Sequence, residues 1–188
     1  MLICGVVVLR IIAGNLRGLN LDTPDGLDTR PTADRVKEAL FSSITPNLPG
    51  ARVLDAFSGS GALALESLSR GADFAVMCEN NKTAFSICKK NIEKARLKDK
   101  TLLLLTDALS YIKNTEEKFD IIFLDPPYAK GLYGEFLIHA AKKLKKGGII
   151  IAEYEEAHIP AVPPTLKAEK QKKYGRCNLL YLSGVDET

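Results

Sequence analysis

Short apolar runs alternate with amphipathic, helix-period stretches along most of this chain. The runs are rich in Val, Ile, Leu and Phe, which is typical of strands that are buried on both faces of a sheet. They predict core strands near residues 52–55, 74–79, 102–105, 120–124 and 148–153. Because strands and helices alternate, the pattern predicts an α/β fold whose mostly parallel sheet carries helices on both faces.

The pattern changes before the first core strand. Segments 9–13 and 18–22 lie on either side of Gly14-Asn15 and predict a small β-hairpin. An amphipathic stretch over residues 32–45 then predicts a helix, which Pro46 ends.

The pattern changes again after the last core strand. A loop that contains three prolines leads to two strand-like segments, 166–173 and 178–182, which predict an antiparallel hairpin. No linker, internal repeat or low-complexity tract divides the chain. We therefore expect one domain over residues 1–188, with an N-terminal attachment over 8–45 and a core over 50–184.

Four of the predicted strands lead into an acidic residue. A carboxylate that follows a strand is, by itself, more often a helix N-cap than a ligand contact. The carboxyl ends of parallel strands, however, form the edge at which open sheets bind ligands. Four acids at this edge favour a ligand that presents cationic, hydroxyl and amino groups. They are Asp55, Glu79, Asp107 and Asp125.

A glycine-containing loop joins the first predicted strand to a helix. Gly59 and Gly61 let the backbone approach a ligand closely, and the start of the helix offers N–H groups. The spacing differs from the G-x-G-x-x-G of dinucleotide-binding proteins, and there is no Walker lysine, so nicotinamide and ATP are poorly supported. The loop suits an amino-acid group whose carboxylate meets the N–H groups and whose ammonium lies near Asp55.

The other acids suit further parts of the same ligand. Glu79 can bind both hydroxyl groups of a ribose, and Asp107 can accept a hydrogen bond from the amino group of adenine. S-adenosylmethionine combines ammonium, carboxylate, ribose and adenine, so it is the expected cofactor. The expected cofactor-binding residues are Asp55, Phe57, Gly59, Gly61, Glu79, Asn80, Asp107 and Ala108.

The fourth core strand leads into Asp125-Pro126-Pro127-Tyr128, called the acceptor turn below. Neither proline can donate to a β-ladder, so the strand ends here. Asp125 and the Pro126 carbonyl can accept hydrogen bonds from the amine of a planar base, while Tyr128 stacks on its ring. The four residues are the candidate catalytic residues. A turn that only ends the strand is the structural alternative.

These motifs resemble those of class I S-adenosylmethionine-dependent methyltransferases that act on exocyclic amines. The segments LRIIAGNLRGLNL (9–21), TRPTADRVKEALFSSI (29–44) and KKYGRCNLLYL (172–182) are similar to the RsmD family, and the likeness covers nearly the whole chain. The resemblance implies a Rossmann-like fold with a seven-stranded, mostly parallel sheet and an antiparallel C-terminal hairpin. It also implies methylation of the N2 amine of a guanine in bacterial 16S ribosomal RNA. The expected substrate is that RNA or the assembling small ribosomal subunit, and the expected enzyme is a cytoplasmic monomer.

Three other functions remain open at this point. The acceptor turn also allows methylation of adenine N6 in DNA, although 188 residues leave no room for the target-recognition region that such enzymes usually carry. It equally permits methylation of a protein glutamine. A non-catalytic RNA-binding module could keep the same fold, but an intact Asp125 and an intact glycine loop argue against it.

The net charge is only +3, yet basic residues concentrate near the two ends of the chain. A basic surface would hold RNA phosphates with a salt-dependent affinity. The four lysines of 142–146 are better explained as a solvated helix end and a guarded sheet edge. The candidate RNA-binding residues are Arg10, Arg17, Arg30, Arg35, Lys172, Lys173 and Arg176.

The composition agrees with a bacterial cytosolic enzyme. A chain of 188 residues with 46% hydrophobic residues can build one sizeable core. The four cysteines have no C-x-x-C spacing and the two histidines have no partner pattern, so the sequence predicts neither a metal site nor a disulfide framework. The apolar residues ahead of the RIIAG segment are too few to span a membrane or to form a signal peptide, and we assign residues 1–7 no function.

Overall fold

The computed structural model describes residues 9–23, 31–126 and 133–185. Within them, helices and strands alternate as the apolar pattern predicts, and no helix is both long and apolar enough to cross a membrane. The helices are α1 (Pro31–Ile44), α2 (Ala62–Ser69), α3 (Lys82–Ala95), α4 (Ala108–Asn114) and α5 (Tyr133–Lys143). The strands are β1 (Arg52–Asp55), β2 (Phe74–Glu79), β3 (Thr101–Leu105), β4 (Phe119–Leu124), β5 (Leu144–Glu155), β6 (Leu166–Tyr174) and β7 (Cys177–Gly184).

The strands of the described residues form one sheet in the order β3-β2-β1-β4-β5-β7-β6. Strands β1 to β5 run parallel, whereas β7 is antiparallel to both β5 and β6. The predicted fold class, a mostly parallel seven-stranded sheet with an antiparallel C-terminal hairpin, is therefore confirmed. The strand order reverses between β1 and β4, and ligands of open α/β sheets bind at such a switch point.

Successive side chains of a strand point to opposite faces of a sheet, and this alternation builds two apolar layers. On one face, Val53 and Phe123 pack with residues of α1, α2 and α3. On the other face, Leu54 and Leu124 pack with residues of α4 and α5. The face that carries α1, α2 and α3 is called the α1 face below. The predicted helices on both sides of the sheet are thus confirmed.

Residues 9–23, called the N-terminal segment below, pack on the α1 face. Ile11 N–H donates to the Leu19 carbonyl at 2.9 Å and Leu21 N–H donates to the Leu9 carbonyl at 2.8 Å. Ile11 and Leu21 are both buried in the core. The predicted hairpin pairing is therefore present, although it contains one isolated antiparallel bridge rather than two extended strands.

Strand β5 begins earlier than its apolar pattern predicts. Leu144 pairs in register with Phe119, and its buried side chain anchors the strand ahead of Gly147-Gly148. Lys145 and Lys146, which the sequence places before the fifth strand, are exposed residues of its first part. The local pattern misses this start because exposed lysines and glycines follow the anchoring leucine.

Candidate active site

The carboxyl edge of the sheet gathers the four acids that follow predicted strands. Asp55 and Glu79 are the last residues of β1 and β2. Asp125 follows β4 directly, and Asp107 comes two residues after β3. Because the order β3-β2-β1-β4 makes these strands neighbours, the structure brings the four acids together at the predicted ligand-binding edge.

Asp55 is the most deeply buried acid of this edge, with 2% of its surface exposed. Its Oδ2 atom is buried and has no hydrogen-bond partner among the described residues. Burial raises the pKa of Asp55 to about 7; backbone hydrogen bonds from Ala64 and Phe57 oppose the rise, and the charge of Glu79 adds to it. A buried oxygen without a partner costs free energy until a donor reaches it, so Oδ2 marks a position for a donor group of a ligand.

The loop between β1 and α2 is fastened to the end of β2. Gly59 N–H donates to Glu79 Oε2 at 2.8 Å, and Asn81 N–H donates to Glu79 Oε1 at 2.7 Å. Gly61 stands directly before α2 with φ +81°, where a Cβ would lie 2.8 Å from Cys88 Sγ. Both the left-handed backbone and the close approach of α3 therefore require glycine at this position.

Glu79 and Asp107 both accept hydrogen bonds from the backbone and retain acceptor positions for a ligand. The Asp107 Oδ1 atom accepts a hydrogen bond from Ser110 N–H at 2.8 Å and caps α4. The N-cap role is thus present. An ionised carboxylate offers about four acceptor positions, so neither the cap nor the two backbone bonds of Glu79 use them all.

The remaining predicted cofactor residues differ in their surroundings. Phe57 is half-buried, and its ring centroid lies 6.2 Å from that of Phe136. Ala108 is buried at the start of α4, whereas Asn80 is exposed. A ligand at the carboxyl edge could stack on Phe57 and meet backbone groups at Ala108.

At the acceptor turn, Asp125 is half-buried and Pro126 is buried. Burial raises the pKa of Asp125 well above its usual range, and the negative charges of Glu153 and Asp55 raise it further. The Asp125 carboxyl therefore lies within electrostatic reach of both Asp55 in β1 and Glu153 in β5. A base amine placed here would meet hydrogen-bond acceptors beside the orphaned Asp55 oxygen.

The predicted features that lie outside the described residues are Pro127, Tyr128, Arg30 and residues 1–7.

Glu153 is a candidate site residue that our sequence analysis missed. It lies near the carboxyl end of β5, and its backbone carbonyl accepts a hydrogen bond from Tyr133 Oη at 2.7 Å. Burial raises the pKa of the Cys177 thiol, and the charge of Glu153 and a hydrogen bond to it add to the rise. The signal was available, because Glu153 is the last residue of a predicted core strand, as Asp55 and Glu79 are.

The candidate RNA-binding residues come from the N-terminal segment, α1 and the β6–β7 hairpin. Three of them have protein partners: Arg10 pairs with Asp34 at 3.5 Å, Lys172 donates to Ser43 at 3.1 Å, and Lys173 pairs with Glu156 at 2.7 Å. Three others are exposed: Arg17, Arg35 and Arg176. The contact of Lys172 with α1 gives this side chain a structural role as well.

A buried charge cluster, also missed in the sequence, attaches the N-terminal segment to α2. The fully buried Glu66 accepts hydrogen bonds from Ile12 N–H at 2.8 Å and Ala13 N–H at 3.0 Å. Its carboxylate also lies 2.7 Å from Arg70 and 3.6 Å from Lys37. The available signal was a lone acid inside the apolar helix ALALESLS.

Asn91 joins the N-terminal segment to the loop between β1 and α2. Its Oδ1 atom accepts from Asp22 N–H at 2.8 Å, and its Nδ2 donates to the carbonyls of Asp22 and Ser60, both at 2.9 Å. The residue is fully buried, and its sequence signal is an amide in the apolar stripe that contains Cys88 and Ile92.

Comparison with known proteins decides the family. The family described as Conserved hypothetical protein 95, which is the RsmD family, matches residues 9–183. The chain belongs to this family. Ribosomal RNA small subunit methyltransferase D of Escherichia coli K12 is 36% identical over 171 residues, which cover 89% of this chain and 86% of that protein. The protein of the same name from Buchnera aphidicola is 35% identical over 165 residues, which cover 86% of each chain.

Solved structures agree with this membership of the RsmD family. The structure of yhhF from Escherichia coli superimposes with a TM-score of 0.84 at 31% identity. The match covers 96% of this chain and all of the other. The similarity therefore extends over the core and the N-terminal segment together.

Proposed function

We propose that this chain transfers a methyl group from S-adenosylmethionine to the N2 amine of a guanine in small-subunit ribosomal RNA. The coarser function, S-adenosylmethionine-dependent methylation of ribosomal RNA, follows from membership of the RsmD family. One observation carries the proposal. Asp125, the first residue of the acceptor turn, directly follows the strand next to that of Asp55, whose Oδ2 has no partner among the described residues, and both stand at the switch point of the sheet.

The described residues fit S-adenosylmethionine. Asp55 Oδ2 would accept from the ammonium group, and the backbone of the Gly59–Gly61 loop would meet the carboxylate. Glu79, already fixed by two backbone N–H groups, would bind the ribose hydroxyls, and Asp107 would accept from the adenine amine. When bound, the cofactor supplies an electrophilic methyl group on a positively charged sulfur.

The acceptor turn would orient the target amine. The lone pair of an aromatic amine is delocalised into its ring, which makes the amine a poor nucleophile. Hydrogen bonds to Asp125 and to the Pro126 carbonyl would favour a pyramidal nitrogen with its lone pair directed at the methyl group. Transfer would form the N–CH3 bond while the S–CH3 electron pair stays on sulfur, and the methylated amine, now acidic, would release one proton to water. Orientation and matched electrostatics do most of this work.

The substrate base must leave its stack before it reaches the turn, which costs least in a loop or an easily opened helix. Tyr128 would stack on the extruded base, a contact worth about 1 to 3 kcal/mol. The basic residues of the N-terminal segment, α1 and the C-terminal hairpin would hold the phosphates on either side. We propose 16S RNA, free or in an assembling subunit, as the substrate of a monomeric enzyme.

Labelled S-adenosylmethionine tests the proposal when it is supplied with small subunits, naked 16S RNA, DNA or protein extract in parallel. We expect label in RNA alone, recovered as N2-methylguanosine by mass spectrometry. Asp125→Ala should abolish transfer while S-adenosylhomocysteine still binds, because Asp125 acts on the acceptor base. Label recovered as N6-methyladenosine in DNA, or in protein glutamine, would contradict the proposal. Full activity of Asp125→Ala would show that the acceptor turn is only structural.

A further inference from the structure

Glu153 stands beside the acceptor turn in the next strand of the sheet. Leu124, the last residue of β4, pairs in register with Ala152 of β5, so Asp125 leaves β4 next to Glu153 of β5. Such strands lie about 4.8 Å apart. The negative charge of Glu153 adds to the raised pKa of Asp125, as expected for carboxyl groups at neighbouring positions.

The alternation of side chains directs both acids to the α1 face. Phe123 and Ile151 belong to the apolar layer of that face, and Asp125 and Glu153 each follow two residues later. Asp55 has the same relation to Val53 in β1. A row of acids therefore extends from the cofactor-binding strand β1, across the acceptor turn, to Glu153 in β5.

The Watson–Crick edges of the nucleobases differ at the atom next to the amine. In guanine the N2 amine lies beside N1–H, which is a second donor. In adenine and cytosine the amine lies beside an unprotonated ring nitrogen, which is an acceptor. A carboxylate beside the amine-binding turn is an acceptor when ionised, so it complements guanine and repels the lone pair of the other two bases.

We propose that Glu153 determines specificity by accepting a hydrogen bond from N1–H of the target guanine, while Asp125 and the Pro126 carbonyl hold its N2 amine. This inference rests on the function proposed above, and it adds the residue that distinguishes guanine from the other base amines. The hydrogen bond of Glu153 with Cys177 is compatible with this role, because a carboxylate has about four acceptor positions.

The test uses substrate RNA that carries either guanine or 2-aminopurine at the methylated position. 2-Aminopurine keeps the N2 amine but has an unprotonated N1. The wild-type enzyme should favour guanine over 2-aminopurine in kcat/KM by about 10- to 100-fold, because a site built to accept N1–H is left unpaired by the analogue. A wild-type enzyme that methylates both bases equally well would overturn the inference without any variant.

Glu153→Gln should reduce this preference to about twofold or reverse it, because its amide N–H can donate to an unprotonated N1. The analogue also lacks O6, but this loss is common to both enzymes and cancels in the comparison. Glu116→Gln is the control. It removes one exposed carboxylate just before the start of β4, at the far end of that strand from Asp125, and should keep the wild-type preference. S-adenosylhomocysteine binding should be unchanged in both variants, which shows that they are folded.

An undiminished guanine preference in folded Glu153→Gln would overturn the role of Glu153 and leave the proposed function intact. A wild-type enzyme that makes no N2-methylguanosine in any RNA would overturn both.

Discussion

At the scale of single residues, the site concentrates carboxylates that the fold alone does not stabilise. Asp55 is buried with an oxygen that has no partner in the described part of the chain, and Asp125 has its pKa raised by burial and by two neighbouring acids. Without a ligand, the carboxyl groups of Asp55 and Asp125 lower the stability of the folded protein. A cationic ligand at Asp55 and a donor-bearing base at Asp125 would offset that cost, so the same groups that destabilise the protein would recognise its substrates.

Asp55→Asn should therefore stabilise the ligand-free protein at neutral and alkaline pH. The pKa of Asp55 is about 7 in the folded state, against 3.8 for an ordinary Asp. As pH rises from about 4 to about 7, the unfolded chain releases a proton that the folded protein still holds, so this group lowers stability across that window and no further above it. The asparagine lacks this penalty. The gain in the free energy of unfolding of Asp55→Asn over wild type should be greatest above pH 7, at most about 4 kcal/mol, and should vanish near pH 4.

Thermal melting of both proteins between pH 4 and pH 8 measures this effect. Calorimetry should show that the variant loses affinity for S-adenosylmethionine, and that wild-type affinity rises with pH as Asp55 ionises. An asparagine variant that is less stable than wild type across the whole range would mean that the carboxylate is stabilising without a ligand.

At the scale of elements, side chains of α2 and α3 hold the N-terminal segment in place. Glu66 and Asn91 bond to its backbone, and Ser69 Oγ donates to the Ala13 carbonyl at 2.6 Å. Gly14 packs so closely that a Cβ would lie 1.9 Å from the Ser69 carbonyl oxygen. The segment is thus attached through polar groups of its own backbone, which a hairpin with one isolated bridge leaves unpaired.

Glu66→Gln should destabilise the protein by about 3 to 5 kcal/mol, because it removes the buried negative charge that pairs with both Lys37 and Arg70. Glu93→Gln, at an exposed position of α3, should change the free energy of unfolding by less than about 0.5 kcal/mol. Urea denaturation of the three proteins gives these values. Equal stability of Glu66→Gln and wild type would show that the cluster contributes nothing net and that apolar packing alone holds the segment.

The sequence predicts the elements better than it predicts such contacts, for a physical reason. The apolar residues 121–124 indicate by themselves that this segment is buried, and the strand β4 lies where they predict it. Asn91 and Asp22 are 69 residues apart, and they meet only because α3 packs against the N-terminal segment. The position of Glu153 next to Asp125 depends likewise on β4 and β5 being neighbours. A local sequence pattern does not show which residues far apart in the chain come into contact.

At the scale of the whole molecule, the elements that carry the candidate RNA-binding residues pack on or beside the α1 face. Lys37 of α1 donates to the Arg10 carbonyl of the N-terminal segment, and Ser43 of α1 accepts from Lys172 of β6. Helix α1 therefore connects the two ends of the chain. Asp55, Asp125 and Glu153 are directed to the same face, so one surface can hold phosphates and present a base to the acceptor turn.

This arrangement predicts that charge reversal has different effects at two places. Arg10→Glu with Arg17→Glu should weaken binding of 16S RNA and reduce the slope of log affinity against log salt by about 1.4 to 1.8, as expected for two lost phosphate contacts. Lys142→Glu with Lys146→Glu changes the net charge equally, but these residues lie near the amino end of β5, away from the acceptor turn. That control should bind RNA nearly as wild type does.

Filter binding over a range of salt concentrations measures both slopes, and calorimetry should show unchanged S-adenosylmethionine affinity in both variants. Equal losses in the two double variants would mean that RNA responds to net charge alone and that the α1 face is not its binding surface.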